Sequence, residues 1–428
     1  MSVSVSAAPA GLAGWTHRWL DALPAPAGEL APVQERGRRA LAELPPPSSR
    51  QEDWRFTDLG LLLQLPVGFA TPSAAAVEPC PVAASATAAA AAVSTSPPVL
   101  RLQLDGRTDP LADLSLPPGL MALSPGEITQ ALGHTLAVTG CERHWPVELN
   151  HAAAERVLAL RVASRSAVRL ELLSSSPAPL RLLLVLEEKA ELELSQWLHA
   201  DAPGLTSLVM EAHLGRGARL RHGLVARGQD GAALLGHLAI EQEPESELQL
   251  TAVSAGWGLA RLEPRVLQVD GQASSTLRGL QLVQGCQIAD THSHIRFNGP
   301  EGQLDQLHKA VASGQGRSVF NGAVRVPRAA QRTNAAQLSR SLLLSDRARI
   351  DTKPELEIVA DDVKCAHGAT VSSLQTDELF YLRSRGIDAA QAAQLLQRAF
   401  CEEVLRDLPA AARAWCPPEG LQLVSESA

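Results

Sequence analysis

The sequence predicts a mainly β protein with helical ends, on three patterns. Between about residues 99 and 375, short apolar runs recur between turn signals, as in VLRLQLDG, AVRLELLSS, AELELSQWL and SELQLTAVSAG. Several alternate strictly, for example Val168-Arg169-Leu170-Glu171-Leu172, and period-two alternation broken by a turn about every ten residues is a strand signal. Helical patterns long enough for βαβ crossovers are missing between these runs, which speaks against a doubly wound sheet. Both chain ends instead carry apolar residues at helical spacing. Sandwich, barrel and solenoid all satisfy the β pattern, and no fixed sequence period selects the solenoid.

Taken in order, residues 1–70 form the first region. GWTHRWLDAL and ELAPVQERGRRALAEL are its expected helices, and LPPPSS stops the second. RQEDWRFTDL (Arg50–Leu59) reads as an acidic helix start beside two buried aromatics. Residues 71–98 are rich in Ala, Ser and Pro and predict a linker. The β body follows over 99–375. Over 376–428 the helical pattern returns, with Thr376 or Asp377 as the cap of ELFYLRSR and Gly386 as the left-handed residue that closes it. Asp388 caps a second helix through about Leu408, on which Leu395, Leu396, Val404, Leu405 and Leu408 make an apolar stripe.

The 428 residues are 45% hydrophobic and 20% charged, enough apolar material for a sizeable core. Aromatics are 3%, with a single tyrosine, and the net charge is −8. Neither a base-stacking platform nor an electrostatic footprint for nucleic acid fits that composition. Six scattered cysteines without a CxxC suit a reducing compartment. The opening MSVSVSAAPAGLAGW has no apolar signal core, and the longest uncharged stretch, roughly 79–100, is broken by prolines and spans no membrane. A cytoplasmic protein is expected.

The densest chemistry is in KPELEIVADDVKCAHGAT (Lys353–Thr370). Cys365 and His367 stand two apart in a strand pattern, so both point to one face. Thiolate and imidazole together suit a soft or borderline metal. One such pair supplies at most two ligands, whereas structural zinc and iron–sulfur clusters take four. The others must come from elsewhere in the chain or from another subunit. The plain alternative is a buried cysteine beside a hydrogen-bonded histidine. A second pair, His292 and His294, also shares a face and, with Gly285 and Glu301, loosely resembles the cupin metal motif at the wrong spacing. It defines the competing expectation of a cupin-like metal-dependent enzyme using His292, His294 and Glu301. A P-loop is missing, since GQGRS at 314–318 does not match, and so are G-x-G-x-x-G, G-x-S-x-G and H-E-x-x-H. Asp361-Asp362 and Glu402-Glu403 read as solvated faces. With no catalytic residue nominated, a scaffold is expected and not an enzyme.

The run FNGAVRVPRAAQRTNAAQLSRSLLLSDRARIDTKPELEIVADDVKCAHGATVSSLQTDELFYLRSRGI (Phe320–Ile387) closely resembles the SufB/SufD family of iron–sulfur cluster assembly scaffolds. Within it CAHGAT and DELFYLRSRGI are similar to the SufD branch, as is QEDWRFTDL near the N-terminus, and DTHSHIRFNGP resembles the family's run in the body. The resemblance implies a right-handed parallel β-helix core between helical N- and C-terminal regions. It implies a subunit that pairs with SufB and binds the ATPase SufC through its C-terminal helical region; a homodimer is a further pairing open to the isolated chain. The absent P-loop then belongs to the partner. His367 matches the family histidine at the SufB–SufD interface, and Cys365 the adjacent cysteine, so both are expected at a shared cluster site. Phe380, Tyr381, Leu382, Arg383 and Arg385 fall in the segment that the resemblance assigns to SufC. No cofactor is expected on the lone chain, only a transient iron–sulfur cluster in the complex.

Overall fold

The computed structural model describes residues 11–68, 99–174, 177–200 and 202–416. The linker expected at 71–98 therefore lies outside the described residues. Eighteen strands form two sheets of nine. The first sheet runs β1 (Val99–Gln103), β4 (Ala167–Ser174), β6 (Glu191–His199), β8 (Arg219–Arg227), β10 (Glu247–Ala255), β12 (Ser274–Val283), β14 (Gln303–Ala312), β16 (Asn334–Leu343) and β18 (Lys364–Ser372). The second runs β2 (Leu120–Ala122), β3 (Leu158–Val162), β5 (Pro179–Leu186), β7 (Gly204–Leu214), β9 (Ala232–Gln242), β11 (Leu259–Gln268), β13 (Ile288–Phe297), β15 (Arg317–Val326) and β17 (Arg349–Ile358). From β3 onward, successive strands alternate between sheets and each pairs in parallel with the strand two places away. That connectivity is a parallel β-solenoid, so the choice that periodicity left open falls to the stacked coil.

Alternation sends every second side chain into the lumen, and parallel register stacks those side chains coil upon coil. One such column runs Leu170, Leu194, His222, Leu250, Leu277, Gln306, Gln337 and His367. Its neighbour runs Val168, Leu192, Leu220, Leu248, Ser275, Leu304, Ala335 and Cys365. The early coils are filled by leucine, while the later ones carry a polar ladder in which Gln337 Nε2 donates to Gln306 Oε1 at 2.8 Å and Gln306 Nε2 to Ser293 Oγ at 2.7 Å.

The coil has a hidden repeat at its corners. Arg165, Lys189, Gly217, Glu245, Gln272, Glu301 and Arg332 all have positive φ, and each precedes a strand of the first sheet. Six of these are not glycine, and each left-handed residue costs roughly 1–2 kcal/mol. Backbone bonds between consecutive corners offset that cost, as in Lys189 N–H to the Arg216 carbonyl, Glu245 N–H to Gln272 and Glu301 N–H to Gln331. The spacing varies from 24 residues (165 to 189) to 31 (301 to 332), which is why no sequence period is visible.

Helices cover each sheet's outer face. Helices α1 (Gly11–Asp21), α2 (Ala31–Glu43), α3 (Pro125–Ala131), α4 (His134–Val138) and α5 (Trp145–Ala153) lie over the second sheet. There Trp15, Trp19, Trp54, Trp145 and Leu149 pack on Leu205, Leu235 and Leu259. Helices α3 to α5 interrupt the segment read as strands. Their start is a capping box, Ser124 with Glu127, followed by Pro125 in the first turn. Glu211 on β7 holds the next helix, accepting from the Gly133 and Leu136 N–H groups while paired with buried Arg181 at 2.7 Å.

At the other end come α6 (Thr376–Ser384), α7 (Ala389–Leu405) and α8 (Ala410–Trp415). Asp388 caps α7 by accepting from Gln391 N–H at 2.9 Å, and Gly386 has φ +87°, both as the sequence predicts. Gln375, not Thr376 or Asp377, occupies the cap position of α6. Val404, Leu405, Leu408 and Trp415 pack on Val225, Val253 and Leu280 of the first sheet, but Leu395 stays exposed where α7 overhangs the body.

Two lumen histidines couple the fold to pH. His222 bonds Gln196 at 3.1 Å and His308 stacks on Phe320 at 4.3 Å, and burial pushes both pKa values down to about 3. Their folded-state pKa lies below the ordinary histidine value, so the unfolded chain takes up protons first as pH falls. Stability is therefore full above about pH 6.5 and declines toward pH 3, by at most about 1.4 kcal/mol per pH unit for each histidine. Chemical denaturation between pH 7 and 4 is expected to show that slope, and His308→Gln to flatten it; an unchanged slope would reject the assignment.

Candidate functional site

Strand pairing stops at the C-terminal coil. Among the described residues, β17 bonds only β15 and β18 bonds only β16, so each keeps one open edge. Cys365 and His367 are the last members of the two lumen columns, at the register of buried Ala335 and Gln337. They share one strand face, as their spacing predicts. Cys365 is half-buried against the lumen core, and burial raises its thiol pKa against a backbone hydrogen bond at Ala335. His367 is exposed. Thiol and imidazole thus meet solvent side by side where a further coil would continue the stack, and a four-ligand site would need two more donors than this pair offers.

Helix α6 buries none of its residues. Phe380 is 70% exposed and Tyr381 58%, with Leu382 half-buried and the Arg385 guanidinium 5.3 Å from the Tyr381 ring centre. Arg383 lines a groove of about 980 Å³ between α6, the start of α7 and the ends of β16 and β18. Glu402 and Glu403, read as a solvated face, instead pair with Arg413 and Lys309.

The expected cupin-like site is overturned. His292 and His294 do share the outer face of β13, but His292 bonds Asp290 at 3.1 Å. Glu301 sits in a corner and pairs with Arg332 at 2.7 Å. Among the described residues, no group of three or more metal-ligand atoms within 4.8 Å of one another includes His292, His294 or Glu301. The solenoid also lacks the closed barrel such a site needs.

What the histidine pattern conceals is a buried ion network on that outer face, which the sequence reading missed. Arg261 pairs with Asp290 at 2.5 Å and Glu263 at 2.7 Å, and its guanidinium lies 3.8 Å from the Trp54 ring centre. It also donates to the Asp53 carbonyl at 2.8 Å, and Thr57 Oγ1 donates to Asp290. QEDWRFTDL is thus a clamp that fastens the N-terminal layer. It forms a short 3-10 turn at Glu52–Trp54, and of its two aromatics Trp54 is buried and Phe56 half-buried. The available signal was Arg261, Glu263 and Arg265 alternating within an apolar strand, three charges on one face.

The family model for the SUF system FeS cluster assembly SufBD core domain matches residues 173–400, which run from β4 through the unpaired edge into α7. The chain belongs to the SufBD family. It is 40% identical over 241 residues to an iron–sulfur cluster assembly SufBD family protein of Synechocystis sp., covering 54% of this chain and 53% of that one. It is 41% identical over 143 residues to the iron–sulfur cluster assembly protein SufD of Escherichia coli, covering 33% and 34%. It is 37% identical over 274 residues to a chloroplastic protein of Arabidopsis thaliana, ABCI7, covering 63% and 55%. These matches span about half or less of the relatives' own length. Among the described residues, no helix is long and apolar enough to cross a membrane.

Removing the clamp's cation strands two buried carboxylates. Arg261→Ala is expected to destabilise the protein by about 3–5 kcal/mol, the usual cost of breaking a buried pair from one side. Limited proteolysis should then cut near residues 50–59 well before the β body. A melting temperature and cleavage pattern like those of the unaltered protein would refute the clamp.

Proposed function

We propose that this SufBD family chain is a non-catalytic scaffold subunit of a cytoplasmic SUF assembly complex. In this reading it pairs with a SufB-type subunit through its C-terminal coil and lends His367, with Cys365 beside it, to the site where a nascent iron–sulfur cluster forms. The cluster is cargo, and the partner supplies the remaining ligands. The observation that carries this reading is the open edge of β17 and β18 with Cys365 and His367 at its rim. Unpaired strand edges are templates for another chain, and a solenoid end without a cap is unfinished. Around that rim Ile358, Val359 and Val371 are exposed, which suits a covered surface better than a solvated one.

The 376–428 region is the proposed docking element for the ATPase SufC. Its support is the uncovered Phe380 and Tyr381 on α6, flanked by Leu382, Arg383 and Arg385. Aromatic and arginine anchors of this kind are enriched at protein interfaces. Nucleotide energy reaches the cluster site only if ATP binds one arrangement of the ATPase pair better than the other, because a ligand shifts an equilibrium by its differential affinity alone. α7 and α8, packed on the first sheet, give the tail a firm base for such a movement.

Two measurements test this. His367→Ala is expected to abolish or sharply reduce cluster assembly in cells dependent on this chain, while Cys365→Ser costs less; full assembly by His367→Ala would defeat the histidine's role. Replacing Phe380 and Tyr381 together by alanine should release SufC in co-purification and leave the SufB pairing and the melting temperature unchanged, since neither side chain is buried. Retention of SufC would defeat the docking assignment.

A further inference from the structure

A different cluster lies on the outer face of the second sheet. His237 on β9 and Glu263 on β11 are register partners, so their side chains rise beside each other. The turn before α5 brings His144 over them. His237 Nε2 is 3.1 Å from Glu263 Oε2, His144 Nδ1 is 3.4 Å from the same oxygen, and the two ring nitrogens are 3.4 Å apart. The rings meet edge to face at 89°, and the three ligand atoms all lie within 4.8 Å of one another. His237 and Glu263 are buried, whereas the His144 side chain is 29% exposed and forms the opening.

The two carboxylate oxygens are used differently. Arg261 Nε donates to Glu263 Oε1 at 2.7 Å, whereas buried Glu263 Oε2 faces the two imidazole nitrogens off the line of a hydrogen bond, with the Arg265 guanidinium at 3.6 Å.

We propose that His144, His237 and Glu263 form a binding site for a divalent first-row transition cation, Zn²⁺ or Fe²⁺, entered from the His144 side. Two imidazoles and one carboxylate are a donor set that these ions accept, with water in the open positions. Mg²⁺ and Ca²⁺ prefer an all-oxygen shell and are poorly served. Arg261 acts from the second shell by fixing the other carboxylate oxygen. Because His144 comes from the helical layer and the other two from the solenoid, an ion here ties the two together and stabilises the folded chain by mass action.

The test uses the full-length, tag-free chain carrying Cys365→Ser and His367→Ala, so that the solenoid edge contributes no ligand. Calorimetric titrations with Zn²⁺ and, under anaerobic conditions, Fe²⁺ are paired with Co²⁺ absorption as the report of ligand type. Saturable equimolar binding is expected, with a Co²⁺ spectrum free of thiolate charge transfer and a melting temperature raised by the ion. His144→Ala, at a partly exposed position in the turn before α5, is expected to weaken binding at least about tenfold and to remove the thermal shift. Arg265→Gln, which lifts a cation from beside the carboxylate, should tighten binding. Uptake of both ions, or of Zn²⁺ alone, supports the site and identifies its occupant. Binding of neither ion overturns the proposal. So does binding that His144→Ala leaves unchanged, or binding that is lost instead with His213→Ala, whose histidine pairs with Glu241.

Discussion

In a parallel solenoid each coil's backbone hydrogen bonds are completed only by the coil beside it. That dependence organises this molecule from one end to the other. It makes the lumen columns, because parallel register places like position on like position, and it stacks the left-handed corners so that neighbouring backbones satisfy one another. It also guarantees that the last coil is incomplete. β17 and β18 expose N–H and C=O groups because nothing in the described chain follows them in either sheet, and Cys365 and His367 stand at that boundary.

The same sheets place their charges unequally. The lumen admits glutamine, serine and histidine, which can bond one another, while the buried arginines and carboxylates lie outside, beneath the helices. Arg181 with Glu211 and Arg261 with Asp290 and Glu263 join strand to helix or strand to the N-terminal segment. Ion pairs of this kind add little net stability over apolar contacts but penalise any misplacement of the layer they hold. The helical cover over the second sheet is therefore registered by charge, while the cover over the first sheet joins leucine, valine and tryptophan packing to pairs such as Lys309 with Glu403 and Arg278 with Asp407.

Much of this was legible before any coordinates. Val168 to Leu172 alternated and became β4, Asp388 capped α7, Gly386 took the left-handed conformation, and the Cys365–His367 spacing put both side chains on one face. Elsewhere the linear reading fell short for physical reasons. SPGE at 124–127 is a capping box that an expectation of continuous strand overlooked. His292 and His294 shared a face as expected, yet that face is the outer one, where Asp290 already occupies His292. His144 sits 93 residues from His237, a separation at which spacing carries no information about proximity.

Local sequence settled which residues form strands, which side of each strand is apolar and where the helices begin, because those properties depend on side-chain periodicity and on hydrogen bonds spanning a few residues. Only the folded coil decided which strand lies beside which, that the coil ends on an open edge, and that Arg261 meets Trp54 and His144 meets Glu263. Corner lengths vary from turn to turn, so register emerges from packing and backbone pairing between coils, and neither leaves a period in the chain.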